Sequence, residues 1–262
     1  MGKRRYRLRG LLSAVAVAAL FSAQAALSAP LNLTDGDKIT LGYGAGANGD
    51  TWGGGEFLVS GVQVAQGAGD GFFTFCLEFS EHFSPGAQYY VDINTGAVNG
   101  GLSSAGSPLV PGDPNGTATF DPLSKATAWL YTQFMTNADA LGYDMTGGKT
   151  QTATVNQPLN DAFQLAIWKL EGELGTSGSA FNAYATNATA QNYVTTAISG
   201  SSSWTDTGNV RVMNLYTGYN ATTGVFSGNT QDQLYMIVPE PASLALLGIG
   251  LAGLGFSRRK KA

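Results

Sequence analysis

The chain carries a single thiol, Cys76, inside the stretch Phe73–Phe79, and a single imidazole, His82, six positions further on. A lone cysteine is an inert apolar group, an intermolecular link or a reactive centre. Two residues are candidates for making it reactive. His82 would serve as the base of a Cys-His pair, but such pairs draw their members from separate parts of a fold and take a third, orienting group. Nothing else in the chain resembles a Cys-peptidase signature. The other partner is Gln164, in the run Phe163-Gln164-Leu165-Ala166-Ile167-Trp168. A thiolate held against that carboxamide attacks its carbonyl carbon, expels ammonia and leaves an internal thioester. An outside amine or hydroxyl then takes the acyl group and restores the thiol. Water would waste the bond, so the site must be dry, and Phe75, Leu77, Ile167 and Trp168 are the residues suited to shield it. Such capture is stoichiometric: no enzyme activity, cofactor or metal site is expected.

The elements that would bring these groups together change character along the chain. Lys38 to Tyr43, Phe57 to Gln66, Gly71 to Phe79 and Gln88 to Ile93 are rich in β-branched and aromatic residues and bounded by Gly, Asn and Asp, which predicts strands. Cys76 then points opposite to Phe75 and Leu77. Residues 94–120 read as a long Gly/Ser/Pro connection. Asp121 and Pro122 offer a cap and first turn for a helix with Leu123, Ala126, Leu130 and Phe134 inward. A second helix is predicted from Asn160 to Gly175, with Phe163, Ala166, Ile167, Leu170 and Leu174 on one face. Gln164 shares a stripe with Trp168 and Glu171. Buried, its amide needs partners; in an ordinary amphipathic helix it faces solvent. A third helix is expected over Ala180–Ser199, with Phe181, Tyr184, Ala188 and Ile198 inward, before strands at Val210–Tyr216 and Gln233–Val238. The fold class is mixed α+β: a β-sandwich or barrel with a helical insertion, flanked by an N-terminal signal helix and a short C-terminal hydrophobic helix.

The Phe75-Cys76-Leu77 strand upstream of a Gln164-to-Trp168 helix resembles the thioester, or TQXA, domain of bacterial surface adhesins. The resemblance covers about residues 33–238. It implies a β part that supplies the Cys, a helical part that supplies the Gln, and a thioester that captures a nucleophile, protein amine or glycan hydroxyl, on a target surface. Phe163 stands where the TQXA pattern has Thr.

The two ends concern delivery. Residues 1–25 combine five basic residues, the apolar run Leu11–Phe21 and the frame Ala23-Gln24-Ala25, the layout of a signal peptide cut by signal peptidase. Residues 239–262 hold Pro239-Glu240-Pro241, an uncharged stretch from Ala242 to Ser257 and the cluster Arg258, Arg259, Lys260 and Lys261. Basic residues beside an apolar span stay on the cytoplasmic side, and the short Gly-rich span suits a transient rather than permanent anchor in the inner membrane. This tail resembles a PEP-CTERM sorting signal, which implies export in a Gram-negative bacterium, processing by an exosortase and a final place at the surface or in the extracellular matrix.

Between the basic ends the chain has 5 basic residues against 18 acidic ones, a formal charge of −13. That excludes nucleic-acid binding, which rests on basic surface. The Asp35-Gly36-Asp37 turn offers oxygens for weak calcium binding but lacks EF-hand spacing. The pairs Glu78/Glu81 and Glu171/Glu173 read as solvated faces. A passive matrix protein that binds polysaccharide through Trp52, Trp204, Tyr89 and Tyr90 is the alternative function.

Overall fold

The computed structural model describes residues 32–43, 54–61, 71–98, 120–144 and 153–237. The signal peptide, the sorting tail, Trp52 and the far half of the predicted Phe57–Gln66 strand lie outside them.

An antiparallel sheet of seven strands forms the body: β1 (Lys38–Tyr43), β2 (Phe57–Ser60), β3 (Phe72–Thr74), β4 (Ala87–Asn94), β7 (Val210–Asn220), β8 (Val225–Asn229) and β9 (Gln233–Met236). The path runs β3-β2-β1-β4-β7-β8, and β9 shares the outer edge of β7 with β8, facing Val210–Met213 while β8 faces Tyr216–Asn220. The sheet curls into a half-barrel rather than a two-sheet sandwich. Its ends approach through one bridge, Cys76 opposite Gln233, flanked by Leu234 N–H donating to the Phe75 carbonyl and Leu77 N–H to that of Asp232. Tyr131 adds a hydroxyl donated to the Phe73 carbonyl at 2.7 Å. The lone cysteine thus sits in the seam of the curl.

A second, two-stranded sheet pairs β5 (Gly96–Val98) with β6 (Phe120–Pro122), within and just beyond the predicted loop. Gly96 leaves no room for a side chain there, since a Cβ would lie 2.2 Å from the Asp121 carbonyl oxygen. Asp121 and Pro122 therefore belong to a strand rather than a helix start. The helix that follows, α1 (Lys125–Asn137), is capped by Ser124, whose side chain accepts the Thr127 N–H.

Helix α2 (Ala153–Leu170) begins earlier than predicted, with Pro158 inside it, and ends before Gly175. Ala162 through Trp168 are all buried, so this is a central helix rather than one with a single apolar stripe. Phe163 packs 4.6 Å from Phe75 and 5.9 Å from Tyr193, bridging sheet and helices. The predicted third helix is two: α3 (Ser179–Thr186) and α4 (Ala188–Gly200). Asn187 breaks them at φ −97°, ψ 96° and caps the second by accepting the Ala190 N–H. The break resets the helical phase. Ala188 and Ile198, expected inward, are exposed, Phe181 and Tyr184 are half-buried, and Ala190, Tyr193, Val194 and Ala197 fill the core instead. Among the described residues no helix is long and apolar enough to cross a membrane.

Candidate functional site

Cys76 has two backbone edges. The neighbouring peptide groups on one side bond to β9; on the other, the Cys76 N–H and C=O point away from the sheet. There α2 supplies Gln164. Its Oε1 accepts the Cys76 N–H at 3.0 Å and its Nε2 donates to the Cys76 carbonyl at 2.8 Å. The side-chain amide occupies the position of a missing strand, satisfying a buried edge that would otherwise cost free energy. A second N–H, from Gly55, reaches the same Oε1 at 3.1 Å. Gly55 adopts φ +115°, which only glycine takes without strain, and so turns its N–H inward just before β2.

The structure brings Cys76 and Gln164 together across 88 positions of sequence, both 0% exposed. This removes the solvent-facing reading of Gln164. Phe75, Leu77, Ile167 and Trp168 are also buried. The thiol itself faces Gln233, whose Nε2 lies 3.5 Å from Sγ. His82 is exposed while Cys76 is enclosed, so the Cys-His pair is not assembled.

Two N–H groups converging on one carbonyl oxygen are the arrangement that stabilises negative charge as a tetrahedral centre forms at the attached carbon. Gln164 is thus polarised at the atom a sulfur would attack. Gly55 and Gln233 were missed in the sequence. Gly55 is one of several glycines in a Gly-rich loop, and Gln233 is marked only by its place in a short strand. Glu56, next to Gly55, is buried, and desolvation pushes its carboxyl up to about 7.

Three of the four carboxylates read as solvated faces are the reverse, and the fourth, Glu81, is half-buried. Glu78 and Glu173 are 0% exposed and Glu171 is buried. Glu171 accepts the Ser124 N–H, tying the end of α2 to the start of α1, and burial pushes it up to about 7. Burial, and then the neighbouring Glu173, Asp232 and Glu81 charges, raise Glu78. The Asp35-Gly36-Asp37 carboxylates cap backbone: Asp37 accepts the Thr34 N–H and Asp35 the Ile93 N–H. Of the proposed carbohydrate-stacking rings, Tyr89 is core, Tyr90 lies under the Lys38 ammonium at 5.3 Å, and Trp204 is half-buried against the core.

Residues 238–260 match the PEP-CTERM protein-sorting motif. The match takes in Pro239, Glu240 and Pro241 together with Arg258, Arg259 and Lys260; Lys261 follows it directly. The motif marks an exported protein sorted by an exosortase to the cell surface. No curated protein and no solved structure matches the chain.

Proposed function

We propose that the exported body forms an internal thioester between Cys76 and Gln164 and uses it to attach the protein covalently to a nucleophile on a neighbouring cell or matrix component. The observation that carries this reading is the pair of N–H groups, from Cys76 and Gly55, on Gln164 Oε1. In the forming step the Cys76 sulfur bonds to Gln164 Cδ, the Cδ–Nε2 bond breaks, and ammonia leaves with the thiol proton. The hydrogen bond from Nε2 to the Cys76 carbonyl is lost, while both bonds to Oε1 are kept. In the capture step an amine or hydroxyl adds to Cδ, its proton returns to sulfur, and an amide or ester joins the partner to Gln164. Closure of the site by Phe75, Leu77, Ile167 and Trp168 slows hydrolysis. Surface delivery by the sorting tail supplies the setting for adhesion or matrix crosslinking, as in a biofilm.

Intact mass spectrometry of the exported protein tests this. The thioester makes the chain one ammonia lighter than its processed sequence, and Cys76→Ala abolishes the deficit. A full mass in the wild type refutes the proposal.

One observation favours a second reading, a passive matrix protein. Both ends of the Gln164 amide are engaged with backbone, which suffices to explain its burial as a staple between helix and seam. On that reading methylamine labels nothing.

A further inference from the structure

Beside the seam the chain gathers carboxylates from three separate elements. Glu78 follows Cys76 by two positions, Asp121 sits in β6, and Glu173 lies in the turn after α2. One oxygen from each lies within 4.8 Å of the others. Ligands on opposite sides of a calcium ion, each at about 2.4 Å, are about 4.8 Å apart, so one ion spans the three.

Glu78 gives the independent indication. Its side chain is 0% exposed, and neither oxygen receives an N–H or hydroxyl; the one group within hydrogen-bonding reach is another carboxyl, that of Glu173. Ionised carboxylates of this kind are normally hydrogen-bonded or paired. What faces Glu78 is more acid: Glu173 at contact, with Asp232 and Glu81 close enough to raise its proton affinity. The position of Glu173 adds to the imbalance. It lies just past the C-terminal end of α2, where unpaired carbonyls already place partial negative charge.

We infer that Glu78, Asp121 and Glu173 bind a calcium ion that clamps the Cys76 segment to the end of α2. The donors are all hard oxygens with no imidazole or sulfur among them, a set that suits calcium rather than zinc or copper. The ion would fix the two elements that carry Cys76 and Gln164, yet its binding does not depend on a thioester, and Cys76→Ala retains it.

The purified exported protein is stripped with chelator at neutral pH and titrated with calcium chloride while thermal unfolding is followed. Calcium at about 100-fold over its Kd raises Tm by about 5–11 °C, for a body of this size, with one ion bound per chain. Glu78→Gln supplies an amide that hydrogen-bonds Glu173, and its Tm no longer responds to calcium. A direct readout on the wild type covers the case in which that variant does not fold. Terbium bound at the cluster is sensitised by Trp168, whose carbonyl accepts the Glu173 N–H, and calcium displaces it. Absence of both the Tm response and displaceable terbium luminescence overturns the inference and leaves shared protons as what neutralises the cluster. A response to magnesium with none to calcium overturns the choice of ion.

Discussion

A covalent bond between Cys76 and Gln164 would close a loop of 88 residues, and its stabilisation can be estimated as for any crosslink. The loop-entropy relation used for disulfides gives about 4.6 kcal/mol for that length at room temperature. For a body of roughly 200 residues each kcal/mol moves Tm by about 2–4 °C, so loss of the bond lowers Tm by about 9–18 °C. Cys76→Ala removes the bond and also a buried sulfur beside Gln233. Without a thioester it removes only the sulfur, at a cost of about 1 kcal/mol and a few degrees. The variant keeps both bonds to Gln164 Oε1 and also has the Nε2 bond to the carbonyl of residue 76 that the thioester form lacks, which offsets about 1 kcal/mol of the loss. Differential scanning calorimetry is run on freshly purified wild type, on wild type treated with methylamine, and on Cys76→Ala. The expected outcome is a high Tm for the first and lower, similar values for the other two. The treated protein also becomes one methylamine heavier than its untreated form. Three coincident transitions, together with a wild type at full sequence mass, refute the reasoning.

Other perturbations read the same architecture. Gln164→Ala removes three buried hydrogen bonds to backbone, at about 1–3 kcal/mol each, so urea titration should show a loss of at least about 3 kcal/mol. Glu56 is raised in the fold from 4.5 to about 7, so the native state holds its proton more tightly than the unfolded chain. Its contribution is fully present below about pH 4.5 and is lost as pH rises to about 7, about 3 kcal/mol in all. Urea midpoints of wild type and Glu56→Gln across this range should differ by that pH-dependent amount, and parallel curves refute it. Asn187→Ala removes the cap that accepts the Ala190 N–H and should cost about 1 kcal/mol, measured by thermal melting, with little change from Asn187→Asp.

The burial of Cys76 and Gln164 was legible because residue type and context agree: one thiol among aromatics and one carboxamide in an apolar helical run. Lys38–Tyr43 was read with its observed bounds because its alternation is clean and its flanks are polar. Other boundaries were set by information the local pattern does not hold. Asn187 has the same helical neighbours whether it caps a new helix or continues an old one, and the inward face of α4 depends on which. Asp121 resembles a helix cap, but a strand partner at Ala97, far away in sequence, claims it. The acidic pairs look solvated because charge normally is, and only the tertiary packing of β6, the seam and the end of α2 buries them. Gly55 and Gln233 matter through where a backbone N–H and a side-chain amide point, which no residue pattern encodes.

The strand nearest the sorting tail is also the strand that faces the thiol. β9 ends at Met236, one residue short of the matched tail, and its Gln233 bridges Cys76, to which Gln164 is hydrogen-bonded. Were a partner captured at Gln164 and pulled while the tail end is held, tension would run from the helix through one seam into a single four-residue strand, sparing β1, β2 and β4. The β9 pairing with β7 and the Cys76 bridge would then set the rupture force of the tether, and the remainder of the sheet would unfold only after those contacts part.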